Sequence, residues 1–107
     1  LGAAALGDIG QHFPDTDGKY QDISSILLLE SVVQKLTENN YRINNVDVTI
    51  MAQKPKLMGY IPQMRSNLAQ VLGISLDKVN IKATTTEELG FVGRQEGIAA
   101  QAVATIY

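Results

Sequence analysis

Three threonines followed by two glutamates form the group of side chains in this sequence that is best suited to bind a phosphate. Thr84, Thr85 and Thr86 end a strand-like run. Glu87 and Glu88 come next and are predicted to open a short helix, whose free N–H groups, with the threonine hydroxyls, could hold an anion. A carboxylate repels a polyphosphate unless a divalent cation lies between them, and Glu87 is the kind of oxygen ligand that magnesium uses. The stretch therefore predicts a phosphate site with a metal.

The same residues also have a purely structural interpretation. Thr84-x-x-Glu87 and Thr85-x-x-Glu88 both fit the capping box, in which a Ser or Thr side chain and a Glu three residues later satisfy the free donors of a helix start. The residues alone leave the anion site and the helix cap open.

Composition narrows the class of protein. A chain of 107 residues that is 45% apolar predicts a single domain over residues 1–107. The absence of cysteine excludes disulfides and thiolate metal sites, and the net charge of −2 argues against a nucleic-acid binder. No apolar run approaches the roughly 20 residues of a membrane span, and no signal peptide is visible. We expect a protein of the cytoplasm.

The first twenty residues contain few helix or strand signals. LGAAALG at 1–7 is typical of the last turns of a helix closing at Gly7, so we expect an N-terminal segment of the same domain upstream of Leu1. Residues 8–20 are rich in Gly, Pro and Asp and predict a loop, with a turn at Asp17. The only histidine, His12, has no second histidine to complete a metal set, so it is not predicted as a ligand.

The elements that must position the threonines follow from hydrophobic periodicity. Apolar spacing predicts helices over about residues 22–39, capped by Asp22 or Ser24, and over residues 61–71, ending before Gly73. Alternation predicts strands at residues 46–52, 79–84 and 97–107. This order indicates an α+β or α/β sandwich with helices on one face of a sheet, the other face being a candidate oligomer surface. The loop after the first strand has Pro55 between two lysines, and it is either a binding loop or an ordinary surface loop.

Five stretches taken in order resemble one protein family. They are LGAAALGDIG at 1–10, FPDTD at 13–17, NVDVTIMAQKPKL at 45–57, IPQMR at 61–65 and ATTTEELGFVGRQEGIAAQAV at 83–103. Together they span nearly the whole chain and resemble the 2-C-methyl-D-erythritol 2,4-cyclodiphosphate synthases of the non-mevalonate isoprenoid pathway. FPDTD and ATTTE-x-LGF-x-GR are the most specific of these motifs.

The resemblance implies a fold and an activity. The fold would be an α+β two-layer sandwich, a mixed sheet with helices on one face, packed around the axis of a homotrimer with active sites between subunits. The activity would be that of a lyase that converts 4-diphosphocytidyl-2-C-methyl-D-erythritol 2-phosphate to the cyclic diphosphate and releases CMP. The enzyme would act in the cytoplasm, or in a plastid if the protein came from a plant or an apicomplexan.

The resemblance also implies substrate-binding residues. The ribose of the cytidine would contact Asp8, Ile9 and Gly10. The methylerythritol phosphate would lie along Phe13, Pro14, Asp15, Thr16 and Asp17. The cytosine would be held, largely through backbone groups, by Ala52, Gln53, Lys54, Pro55, Lys56, Leu57 and Met58.

Further implied roles concern the diphosphate and the metals. Thr84, Thr85 and Thr86 would grip the diphosphate, Thr85 as the catalytic residue, and Glu87 would meet magnesium or manganese. The family's zinc ligands, an Asp-x-His and a later His, have no match in this chain, so we expect them upstream; the alternative is that the metal site was lost in evolution. A pocket on the trimer axis that takes isoprenoid diphosphates would be lined by Phe91, Arg94 and Glu96.

Alternatives remain at this stage. Arg94 and Glu96 could instead form a structural ion pair between subunits. The chain could be a noncatalytic protein that binds a cytidine nucleotide or an isoprenoid diphosphate on the same scaffold. A fusion to the preceding cytidylyltransferase of the pathway is a third possibility.

Overall fold

The computed structural model of the chain describes residues 1–20 and 22–107. Its helices are α1 (Ile9–His12), α2 (Ser25–Glu38), α3 (Ile61–Leu72) and α4 (Gly90–Gly93), and its strands are β1 (Ile43–Met51), β2 (Val79–Thr84) and β3 (Ala99–Ile106). Short 3-10 helices cover Gly2–Ala4, Gly18–Tyr20, Met58–Tyr60 and Leu76–Lys78. None of the helices in these described ranges is both long and apolar enough to cross a membrane.

The described strands form one mixed sheet with β1 at its centre. β1 runs parallel to β2, with Val48 opposite Ile81, and antiparallel to β3, with Val48 opposite Ala102. The helices α2 and α3 pack on the face that carries Val48, where the core also contains Leu72 and Val79. This arrangement confirms the predicted α+β sandwich with helices on one face. Because β1 and β2 are parallel, they end at the same edge of the sheet.

The main helices begin and end where the sequence predicts. The Ser24 hydroxyl accepts a hydrogen bond from the backbone N–H of Ile26 and caps α2. Gly73, with φ of 68°, ends α3 in the left-handed conformation that glycine adopts without steric cost. Strand β1 starts earlier than its alternation predicts, because an irregular register between Ile43 and Asn45 interrupts the pattern there.

Two predictions for the first twenty residues need correction. The helix expected to close at Gly7 is only a 3-10 turn, and the left-handed Ala5, with φ of 56°, ends it. Part of the predicted loop is the short helix α1, because the Asp8 carboxylate accepts the N–H of Gln11 at 3.0 Å and caps a helical turn. The turn at Asp17 is confirmed, since its side chain accepts the N–H of Lys19.

The sheet face away from α2 and α3 carries a polar network. Lys82 Nζ lies 2.6 Å from Asp47 Oδ1, and the Asn80 side-chain amide donates to the same oxygen at 3.0 Å. The hydrogen bond from Lys82, followed by that from Asn80, holds the pKa of Asp47 below its ordinary value of 3.8.

The lowered pKa of Asp47 predicts a small, pH-dependent contribution to stability. Because the folded pKa lies below the unfolded one, the contribution is present above the unfolded pKa and is lost as pH falls through the folded pKa. Asp47→Asn should therefore lower the urea midpoint slightly at pH 7 and leave it unchanged near pH 2, and added salt should weaken the effect at pH 7. An equal loss at both pH values would show that the carboxylate charge is not responsible.

Candidate functional site

Two loops meet at the edge where β1 and β2 end. Residues 52–58 follow β1, and residues 85–89 follow β2. The backbone N–H of Ala52 donates to the carbonyl of Thr84 at 3.0 Å, and that of Glu88 donates to the Gln53 side-chain oxygen at 3.2 Å. The carboxyl ends of parallel strands are a common place for ligands in open sheets, since the loops there can surround a small molecule.

A cavity of about 290 Å³ opens between the two loops. Its size is just below the range of about 300–1,000 Å³ found for small-molecule sites. Both loops contribute to its lining, which consists of Ala52, Gln53, Pro55, Lys56, Leu57, Met58, Ala83, Thr84 and Thr85. The structure thus brings the predicted base-binding loop and two of the three predicted phosphate-binding threonines to one cavity.

The first loop is fixed at its ends and exposed at its tip. Ala52 is buried in the core, and Leu57 packs against the same core from the other end of the loop. Lys54, Pro55 and Lys56 are exposed, and the Lys54–Pro55 peptide bond is cis. Anchored ends hold the backbone donors and acceptors of the tip in place, as recognition of a flat polar ring requires.

The second loop is a tight turn, and the helix predicted to start at Glu87 is wrong. Glu87 and Glu88 both have positive φ, of 52° and 65°, and the N–H of Leu89 donates to the carbonyl of Thr86 at 3.0 Å. Left-handed central residues are a feature of type I′ turns and are incompatible with a right-handed helix. The first helical residue is Gly90, so no capping box forms at the threonines.

The hydroxyls of the three threonines have different hydrogen-bond partners. Thr84 Oγ1 donates to the carbonyl of Thr85 at 3.1 Å, and Thr86 Oγ1 donates to the carbonyl of Leu89 at 2.6 Å. Thr85 Oγ1 instead accepts the N–H of Glu87 at 3.3 Å. Among the described residues, the Thr85 hydroxyl has no acceptor for its own proton, so this threonine can donate to an anion without breaking a bond in the protein.

Helix α4 packs directly against the turn through Gly93, which the sequence did not predict as a site residue. A Cβ atom added at Gly93 would lie 2.1 Å from the Glu88 carbonyl carbon and 2.6 Å from its Cα. Only glycine allows this approach. The signal in the sequence was the second glycine of the LGFVGR segment, but its contact with Glu88 is visible only in three dimensions.

The described residues offer one candidate ligand for magnesium and no site for zinc. Glu87 is exposed beside Thr85, and a single carboxylate can bind magnesium together with substrate phosphates. In residues 1–20 and 22–107, no group of three or more His, Cys, Asp or Glu side chains could hold a metal ion, so these residues do not fit the zinc site of the resemblance. His12 Nε2 lies 2.6 Å from the carbonyl of Leu6, which gives it a structural partner.

The predicted ribose and methylerythritol contacts lie outside this cavity. None of residues 8–17 is among its lining residues. Asp8 caps α1. Phe13 is buried, and its ring meets that of Tyr20 edge-on with the two centroids 5.4 Å apart. Lys35 Nζ lies 5.6 Å from the centroid of the Phe13 ring. Little of the Phe13 ring is therefore left for a ligand, whereas Asp15 is exposed.

The predicted axial residues form an ion pair, but within one chain. Arg94 Nε donates to Glu96 Oε1 at 2.9 Å, and Arg94 Nη2 donates to Glu96 Oε2 at 3.2 Å. A two-residue separation lets the guanidinium fold back onto the carboxylate of its own chain. Phe91 is half exposed beside them.

Comparisons with known proteins match this chain over its whole length. The sequence model of the YgbB family matches residues 1–107. The 2-C-methyl-D-erythritol 2,4-cyclodiphosphate synthase of Alkaliphilus metalliredigens is 61% identical over 99% of this chain and 67% of its own length. The bifunctional IspDF from Campylobacter jejuni superposes with a TM-score of 0.94 at 44% identity, over 99% of this chain and 29% of that one. IspF from Plasmodium falciparum, solved as a CDP complex, superposes with a TM-score of 0.84 at 30% identity, over 99% of this chain and 62% of that one.

Proposed function

The chain belongs to the YgbB family, and from this premise we propose that it forms the nucleotide and diphosphate part of a 2-C-methyl-D-erythritol 2,4-cyclodiphosphate synthase. This lyase of the non-mevalonate isoprenoid pathway would act in the cytoplasm. Its substrate is 4-diphosphocytidyl-2-C-methyl-D-erythritol 2-phosphate, and its products are the cyclic diphosphate and CMP. The observation that carries the proposal is the cavity that residues 52–58 share with Thr84 and Thr85.

The first loop is proposed to hold the cytosine. Pro55 and the anchored ends of the loop limit its backbone freedom, so its N–H and C=O groups can meet the polar edge of a base at low entropic cost. Lys56, exposed at the cavity, adds positive charge beside the diphosphate. The Plasmodium falciparum IspF structure is a complex with CDP, which supports a cytidine nucleotide as the ligand of this family.

Thr85 is proposed to stabilise the charge that develops during the reaction. The 2-phosphate of the substrate is mostly a dianion at pH 7, since its second pKa is about 6, so it can attack the β-phosphorus without a strong base. As that P–O bond forms, the bond from the β-phosphorus to the CMP oxygen breaks, and CMP leaves. The Thr85 hydroxyl donates to a diphosphate oxygen as charge accumulates, and the loops hold the two phosphates in contact.

Glu87 is proposed to hold magnesium or manganese shared with the substrate. When bound, the ion would neutralise the two approaching phosphates. The described residues do not fit zinc, so we assign no step to it, and we propose that this chain by itself binds the nucleotide without turning over substrate.

A homotrimer is proposed to complete the site. Residues 8–17 do not line the cavity of their own chain, so the motif would serve the cavity of a neighbour. The sheet face that carries Asp47 also carries Val103, which is 70% exposed and is a candidate contact on the trimer axis. Light scattering should give three times the chain mass, and a monomer at working concentration would contradict this arrangement.

A hybrid enzyme tests the proposed function. We would replace the matched region of the Alkaliphilus metalliredigens synthase with this chain and assay CMP release with zinc and magnesium. The hybrid should release CMP, whereas the 107-residue chain alone should bind CDP without releasing CMP from the substrate. A folded hybrid that is inactive beside an active parent synthase would contradict the proposal and would favour a noncatalytic binding protein.

The axial pocket is proposed to bind an isoprenoid diphosphate through Arg94. Because Glu96 neutralises this arginine in the structure, Glu96→Gln should tighten binding of geranyl diphosphate about fivefold, the order of one exposed ion pair. Arg94→Gln should abolish binding, and Glu38→Gln on α2 is the matched control. Calorimetry in which Glu96→Gln weakens binding would instead support a purely structural pair.

A further inference from the structure

One side chain connects the two loops of the site. Gln53, on the loop after β1, accepts the backbone N–H of Glu88 through Oε1 at 3.2 Å, a contact between residues 35 positions apart in sequence. The opposite orientation of the amide would place two donors face to face, so the oxygen must point toward Glu88. The Gln53 side chain is therefore engaged with the turn that carries Glu87.

The turn needs support from its surroundings. Glu87 and Glu88 are both in the left-handed region, which costs about 1–2 kcal/mol for each residue that has a Cβ atom. Gln53 holds the turn on one side through the Glu88 N–H. On the other side, Gly93 lies so close to the Glu88 backbone that no side chain could fit between them.

We propose that Gln53 is a positioning residue that holds the 86–89 turn in place and so couples the loop of residues 52–58 to the Glu87 carboxylate. A nucleoside diphosphate that orders residues 52–58 also fixes the turn, and a divalent cation on Glu87 strengthens nucleotide binding in return. This inference deepens the proposed function and depends on it for the identity of the two ligands. It gives the Gln53 side chain a role distinct from contact with the base.

Two substitutions separate this role from simple packing. Gln53→Met keeps the length of the side chain but removes the acceptor for the Glu88 N–H. Gln53→Glu keeps an acceptor at the same position and should rescue the bond. Gln63 on α3 is a matched control, since it is an exposed glutamine bonded only to Asn67 in its own helix among the described contacts.

The first readout needs no ligand. Amide hydrogen exchange of Glu88, measured by NMR on the 107-residue chain, should accelerate about tenfold or more in Gln53→Met. It should stay at the wild-type rate in Gln53→Glu and Gln63→Met. Unchanged protection of Glu88 in Gln53→Met would overturn the inference.

The second readout is the effect of Mg²⁺ on the affinity of the chain for CDP. The factor by which Mg²⁺ tightens CDP binding should fall about fivefold in Gln53→Met, the order of one hydrogen bond, and should stay at the wild-type value in Gln63→Met. An equal loss with and without Mg²⁺ would overturn the inference, since Gln53 would then contact the nucleotide directly. If the wild-type chain does not bind CDP, the proposed function fails, and Glu88 exchange alone decides whether Gln53 holds the turn.

Discussion

Replacing Thr85 with alanine is expected to slow CMP release by the hybrid enzyme about 100-fold to 1,000-fold, the effect of removing one donor to a developing oxyanion. Of the three threonines, Thr85 is the one whose hydroxyl proton has no acceptor among the described residues. Removing this hydroxyl therefore removes a donor to the substrate. Thr85 is exposed, so folding should change little. Steady-state assays should therefore show a fall in kcat at nearly constant thermal stability.

The control for this prediction is Thr85→Ser, which keeps the hydroxyl and should retain most of the activity. Urea unfolding and light scattering on each variant would separate a chemical effect from a loss of fold or assembly. Turnover of Thr85→Ala within about twofold of the parent hybrid would reject the catalytic role of Thr85.

Gly93→Ala is expected to be the most disruptive single substitution near the site. The added Cβ would lie 2.1 Å from a backbone carbon of Glu88, where no flexible side chain can move aside. Either α4 or the turn must shift, and overpacking of this kind costs about 1–3 kcal/mol or more. We expect a lower urea midpoint, together with weaker CDP binding because the turn beside Thr85 is displaced.

Gly59→Ala is the matched control, because a Cβ atom at Gly59 would meet nothing within 4 Å although this glycine directly follows the loop of residues 52–58. Its stability should stay within about 0.5 kcal/mol of wild type. If Gly93→Ala matched Gly59→Ala in both stability and CDP affinity, the close packing of α4 on the turn would not matter for the site.

Local signals in the sequence were sufficient to predict the two main helices. The apolar spacing of α2 and α3, the Ser24 cap and the Gly73 stop depend on interactions within one helix, so they could be predicted without knowledge of the fold. The start of β1 could not be predicted, because Ile43 and Asn45 break the alternation where the pairing with β3 is irregular. Helix α1 had a visible signal in the Asp8 cap, but its single turn lies among loop-forming residues.

The conformation of the 86–89 turn could not be predicted from the sequence. Thr-x-x-Glu favours a helix cap locally, and glutamate rarely adopts positive φ. Tertiary contacts determine the outcome instead, since Gln53 and Gly93 hold Glu88 from both sides. For the same reason, the motif identified the three threonines, but only their hydrogen bonds distinguish Thr85 from Thr84 and Thr86.

Hydrogen exchange of the 107-residue chain with and without CDP, in the presence of Mg²⁺, tests the central claim most directly. If the loops after β1 and β2 form one nucleotide site, CDP should protect residues 52–58 and residues 84–88 together, and Thr85→Ala should reduce the protection of both. Protection confined to other parts of the chain, or no protection under saturating CDP, would contradict the account.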